Sequence, residues 1–481
     1  MKWVWLTLLL TTSVTLSFSI KADFYQAQQH YLNKDYHLSF AEFKSLAEQG
    51  NANAQIALAQ SYAQAQGHEQ NYPLALAWAM MAKQLQHPAA DGLYLAYRDK
   101  VSSRREVKAQ FKQLDKQFGL STLQQNLYPV MNNPNQTLVP QPANLSRSEP
   151  QFPANAFEDK THTWVLLHYD IDANGHTTNI QLIASYPDDR LNKGAIKAVK
   201  GWRFASHSDK HNNPKTMAMQ SQVFELFPNK NPYQQSQAGQ DLLAKANQGS
   251  AEHQYLLAQL VDNDIISYPN SEQLAPHQAL DWLTRAAVNG FAPAQMQLYL
   301  CMQQARCETD HNKSQLWLNT AFANQAPHAI MAKIHHYLNQ NQLLQAEQLL
   351  KPLMTNNHLD ALTLYANLKT TSESANDDDY QEGIKYARQA MALDHDNPRL
   401  LAITALAQYQ LNPMAIETSQ PHQPPKWQYL LSTAIAEAEY RDWPIDYYVN
   451  TLEKLQQQTL LQQMQQAKTE TDVSKNKKSA N

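Results

Sequence analysis

The chain has 481 residues, 43% of them apolar, with 39 basic against 43 acidic side chains and a formal net charge of −4. That length exceeds one ordinary core and implies two to four domains. The charge balance excludes the basic footprint of a nucleic-acid binder, and a chain with only 11 glycines, rich in Ala, Leu and Gln, is expected to be mostly α.

Residues 1–22 begin with Lys2, continue through an apolar run from Trp3 to Ile20, and end on a small residue, Ala22. This is the layout of a secretory signal cleaved after Ala22. A run of that length also just spans a bilayer and, left uncut, would anchor the chain through residues 3–20. Either outcome places the remainder in the periplasm. Membrane contact is expected only if that segment stays attached.

A short phrase recurs along the chain. "GNANAQIALAQ" from Gly50 is echoed by "GSAEHQYLLAQ" from Gly249 and "GFAPAQMQLYL" from Gly290. Weaker copies put Gln325 and Asn357 in the glycine place. Each phrase has a companion with helical spacing, such as Leu74, Ala77, Trp78 and Met81 in the first. The pattern is a helix hairpin with a wide apolar face, small residues for close approach and a left-handed turn residue. One hairpin cannot bury that face alone, so neighbours must stack. "A-x-x-G-x-x-x-A-Q" followed by "A-L-x-W-x-x-x-A" resembles the Sel1-like repeat, and Tyr386 to Gln410 resembles a plain tetratricopeptide unit. These repeats are expected over 23–125 and 230–467, and the resemblance implies a concave scaffold for protein contacts.

Residues 126–150 are rich in Pro, Asn and Gln without a period and read as a linker. Alternation then marks a strand: Val165, Leu167, Tyr169 and Ile171 share a face, and Ile180 and Leu182 follow the same rule in a second. "DANG" (Asp172 to Gly175) is a hairpin turn. Leu191, Ala195, Ile196 and Val199 form a helical stripe, and Met217 to Phe227 reads as a third strand. The order is β-β-α-β over 151–229.

This block resembles the C-terminal domain of TonB-family energy transducers. The matching residues are Phe152 to Ala156, the stretch Val165 to Gly175, "SYP" before the helix, "AIKAVKGWRF" (Ala195 to Phe204) and "VFEL" at Val223 to Leu226. Gly175 is expected at the turn, and Trp202 and Phe204 in the core, pinning helix to sheet. The resemblance implies capture of an extended partner segment by strand addition. Met217 to Phe227 is the candidate edge, with Met219, Ser221, Val223 and Glu225 between. In the family, the partners are an outer-membrane TonB-dependent transporter and inner-membrane motor proteins. Residues 1–22 hold no His to engage a motor, the long Pro-rich spacer is missing, and some 250 residues follow the domain.

Other signals are weaker. Asp170 to Gln181 starts like a calcium loop, but its twelfth position is Gln181 instead of Glu. "HSDKH" (His207 to His211) lacks a fourth metal ligand and reads as a solvated loop. Cys301 and Cys307 are a candidate disulfide in an exported chain. Residues 468–481 are polar and read as a disordered tail. No G-x-S-x-G, H-E-x-x-H, C-x-x-C or phosphate loop is present, so no catalytic residue, metal ligand or cofactor site is assigned.

The fold expected is an α-solenoid of Sel1/tetratricopeptide-like hairpins with an inserted small α+β docking domain. The function expected is a non-enzymatic scaffold in the cell envelope. The alternatives are an energy-transducing component of outer-membrane transport and an envelope enzyme with an unrecognised site.

Overall fold

A computed structural model describes residues 24–85, 87–132, 142–158, 160–207, 215–227, 235–266, 275–326, 328–413 and 425–478. The leader at 1–22 and residues 208–211 of the "HSDKH" segment lie outside them. Seven helices come first: α1 (Phe24–Leu32), α2 (Tyr36–Glu48), α3 (Ala52–Gln64), α4 (Tyr72–Gln84), α5 (Ala90–Tyr97), α6 (Arg104–Phe118) and α7 (Leu120–Asn126). The α+β block follows as β1 (Asn144–Ser146), β2 (Thr163–Ile171), β3 (Thr177–Tyr186), α8 (Asn192–Gly201), β4 (Arg203–Phe204) and β5 (Met217–Leu226). Then come α9 (Gln237–Asn247), α10 (Ala251–Asp262), α11 (Ala275–Val288), α12 (Ala292–Gln303), α13 (His311–Ala323) and α14 (Ala329–Asn339). The last are α15 (Leu343–Thr355), α16 (Leu359–Thr371), α17 (Asp377–Met391), α18 (Pro398–Leu411), α19 (Lys426–Tyr440) and α20 (Asp446–Lys478).

These elements sort into two compact units. The first joins α1–α7 to α9–α13, and the second joins the β-strands and α8 to α14–α20. The phrases from Gly50, Gly249 and Gly290, on either side of the α+β block, therefore belong to one body.

The first unit explains the repeated phrase. Gly50, Gly249 and Gly290 end their helices at φ of +91°, +95° and +89°; Gln325 takes the same place at +56°, as does Asn357 of the second unit at +54°. The glutamine five residues on is a clamp. Gln55, Gln254 and Gln295 each donate to a carbonyl eight residues back, at Ala47, Ala246 and Ala287, over 3.1, 3.0 and 3.0 Å. In α12 the other end of the amide is used too, because Gln295 Oε1 accepts from Asn324 Nδ2 at 2.8 Å. The first and later copies meet directly, as the buried Asn51 donates to Asn289 Oδ1 at 2.8 Å and Asn289 donates to the Gly249 carbonyl. Phe43, Leu58, Trp78 and Met81 fill the core between the first hairpins.

The described ends of the segment read as a linker, up to residue 132 and from residue 142, are claimed by their neighbours. Lys313 Nζ donates to the Gln124 and Tyr128 carbonyls, and Trp317 Nε1 donates to the Leu127 carbonyl. Cys301 and Cys307 are joined by a disulfide, with Cα atoms 5.2 Å apart. The loop it closes pairs with residues 130–132 through Glu308 N to Val130 O and Asn132 N to Arg306 O. At the other end, β1 pairs with β4. Composition missed this because the pairing partners lie far away in sequence. Likewise α20 runs to Lys478, through most of the segment read as a tail. Its sequence carries no Gly or Pro to stop a helix.

In the second unit, β2 is central in a three-stranded antiparallel sheet ordered β3-β2-β5. Val165, Leu167, Tyr169 and Ile171 face α8 and pack on Leu191, Ala195, Val199, Trp202 and Phe204. The opposite face is buried as well: Trp164 and Leu166 are fully enclosed, and His168 and Asp170 nearly so.

Candidate docking site

Among the described residues β5 pairs with β2 alone, so its far side is a sheet edge. Its two halves differ. Met217, Ala218 and Gln220 are buried, whereas Ser221 to Phe224 and Leu226 are half-exposed and Glu225 is exposed. The six odd-numbered positions of the candidate edge do not share a face. Met219 forms a bulge at φ +56° and gives its N–H to Asp170 Oδ1 at 2.8 Å. The bulge shifts the register, so Met217 opposes Ile171 and joins the α8 core with Phe224 and Leu226. Ser221, Val223 and Glu225 oppose His168, Leu166 and Trp164 on the other face. The open stretch is therefore Ser221–Phe227, not the whole strand. Phe227 follows β5 at φ +51° and meets the Phe157 ring edge-on.

The open half carries charge on both faces. His162, almost wholly buried, meets Glu225 with 2.5 Å between Nε2 and Oε1. On the α8 side the Arg147 guanidinium lies 4.0 Å above the Trp202 ring and donates to Gln222 Oε1 at 2.6 Å. Trp202 Nε1 donates to the Ser148 carbonyl. Trp202 and Phe204 thus close the core, and residues just before 151 belong to the docking domain. Gly175 sits at φ +82° in the β2–β3 turn, where a Cβ would overlap the Phe204 carbonyl oxygen.

The buried end of the sheet has a purpose the sequence did not reveal. Three residues spaced by two, Asp170, Asp172 and Asn174, form a ridge that meets the starts of three repeat helices. Asp170 Oδ2 lies 3.2 Å from His328 Nε2, at the cap of α14. Asp172 neighbours Asp360 in the first turn of α16, and Asp360 accepts from Thr216 Oγ1 at 3.0 Å. Asn174 Oδ1 accepts from Asn397, the cap of α18, and from the buried Arg399. Burial, and then the Asp172 carboxylate beside it, raise the Asp360 carboxyl above the ordinary range. His207 is pushed down to about 4 by burial, Lys215 and Arg399, so this first residue of "HSDKH" is a packed neutral side chain. The "D-x-D-x-N" pattern that begins like a calcium loop is thus occupied by the protein's own groups. The only sequence signal for it was that alternation, because His328, Asp360 and Arg399 lie well over a hundred residues away.

Fold and site together define a class: helix-hairpin repeats carrying a small three-stranded sheet domain whose β5 edge is half-open. Residues 148–226 match the family described as the Gram-negative bacterial TonB protein C-terminal. Over 63 residues the chain is 32% identical to Protein TonB of Yersinia enterocolitica, covering 13% of this chain and 25% of that protein. The chain therefore spans about a quarter of the length of that relative. A crystal structure of a protective antigen from uropathogenic Escherichia coli strains, described as displaying an SLR fold, aligns over 92% of this chain and 82% of its own. That alignment has 11% identity and a TM-score of 0.33. Among the described residues no helix is long and apolar enough to cross a membrane, and no group of His, Cys, Asp and Glu is arranged to hold a metal ion.

Proposed function

We propose that this protein is a scaffold of the Gram-negative cell envelope that captures an extended partner segment along the Ser221–Phe227 edge. Helical repeats would offer a second protein partner their surface. The observation that carries this reading is the half-open β5 edge within a region matching the TonB C-terminal family. Strand addition supplies main-chain hydrogen bonds for affinity and alternate side-chain positions for specificity. Asp170 supports it by fixing the bulge that separates the sealed half from the open half.

Ser221→Asp combined with Val223→Lys should abolish pull-down of envelope partners while leaving the unfolding transition in place. Unchanged capture by a folded double variant would remove β5 as the docking edge. The similarity to Protein TonB favours a second reading, coupling of an outer-membrane transporter to inner-membrane motor proteins. Recovery of both partner types with one bait would support it. Periplasmic location and the absence of catalytic activity belong to the same proposal.

A further inference from the structure

The strongest charged feature outside the sheet domain is α6. Residues 100–116 hold six basic side chains against two acidic, in a chain where acids outnumber bases. Arg104, Lys108, Lys112 and Lys116 follow at four-residue steps, with Arg105 beside the first. Such steps place neighbours on one helical face, about 6 Å apart along the axis and about 18 Å end to end. All five are exposed, while Val107 and Leu114 on the other side are buried and Phe111 and Phe118 pack on the core of the first hairpins. Among the described residues none of the five stands in an ion pair. Of the two acids, Asp115 accepts from Gln84 Nε2 at 2.8 Å and Glu106 is exposed.

We propose that this row is a contact surface for anionic phospholipid headgroups, holding the first unit against a membrane. It is separate from residues 3–20, the only membrane contact legible in the sequence. Five cations kept unpaired along one helix repel one another, and an opposing negative surface relieves that cost. A bilayer fits better than an acidic protein. Three of the five are lysines, point charges on flexible stems suited to a fluid array of phosphates. No large apolar side chain is exposed among them to form the centre that a specific protein interface requires. The apolar side of α6 is committed to the core, so the helix would rest on the headgroups and not insert.

The test is sedimentation of the full chain with phosphatidylglycerol-rich and with pure phosphatidylcholine vesicles, in low and high salt. Each basic residue near an anionic surface contributes about fivefold in partitioning. The Lys108→Gln, Lys112→Gln, Lys116→Gln variant should therefore lose roughly a hundredfold of its preference for anionic vesicles. The parent preference should also fade in high salt. Because parent and variant carry the same leader, binding through it cancels when their preferences are compared. Circular dichroism checks that the variant folds; if it does not, Lys112→Glu with Lys116→Glu is read instead. An anionic preference that survives in a folded variant overturns the proposal. So does a parent chain without that preference, or one that binds polyglutamate but neither vesicle.

Discussion

The Asp170 carboxylate joins three parts of the chain: Met219 N–H on β5, Asn179 Nδ2 on β3 and His328 Nε2 at the cap of α14, at 2.8, 2.7 and 3.2 Å. Both edge strands bulge where they touch it, with Asn179 at φ +47° and Met219 at +56°. One buried acid thus sets the shape of the docking edge and ties the sheet to the repeats. Asp170→Ala leaves those donors without their acceptor and should cost about 3 kcal/mol. Urea unfolding checks it, and Asp170→Asn should be milder because it keeps an acceptor. An Ala variant as stable as the parent would show that the carboxylate does not hold the sheet.

Gly175→Val places a branched Cβ at φ +82°, against the Phe204 carbonyl. Both strain and overlap oppose it. The expected result is loss of the β2–β3 hairpin and of docking, with α1–α7 and α9–α13 still protected in hydrogen exchange. Protection of the hairpin at parental levels would contradict the turn geometry.

Two partly enclosed groups give opposite pH slopes. Asp360 has a raised folded pKa, so its contribution is full below the ordinary Asp value and is lost as pH rises through the raised one. His207 is depressed to about 4, so its contribution is full above the ordinary His value and is lost as pH falls from about 6.5 to about 4. Asp360→Asn keeps an acceptor for Thr216 and should flatten the first slope. His207→Gln should flatten the second. Thermal midpoints across pH 4 to 8, a range set by these windows, separate them, and a variant with the parent's profile would acquit its residue.

The glutamine clamps should not be equivalent. Gln295 bonds at both ends of its amide, whereas Gln55 Oε1 is buried without a partner. Gln295→Ala should destabilise the first unit by about 2 kcal/mol and Gln55→Ala by about 1. A reversed order in denaturant midpoints would count against the clamp.

What was legible in the sequence followed from local rules. The turn glycines, the alternation of β2 and the place of Trp202 and Phe204 each depend on neighbours within a few residues. Gln325 and Asn357 were readable as turn residues because their flanks kept the repeat spacing. The bulge at Met219 was not readable, since its cause is a carboxylate 49 residues away. Counting by twos from Ser221 would put Met217 on the face opposite to the one it occupies. Long-range pairing likewise hid the role of residues 130–132 and of the Asp170–Asn174 ridge.

The central claim is that β5 receives a partner strand along its open half. Photocrosslinking in living cells, with the probe placed in turn from Met217 to Phe227, tests it most directly. The account predicts protein adducts between Ser221 and Phe227, strongest at alternate positions, and none from Met217 to Gln220. Adducts confined to the sealed half, or found instead with probes at Gln181 and Leu182 on β3, would contradict it.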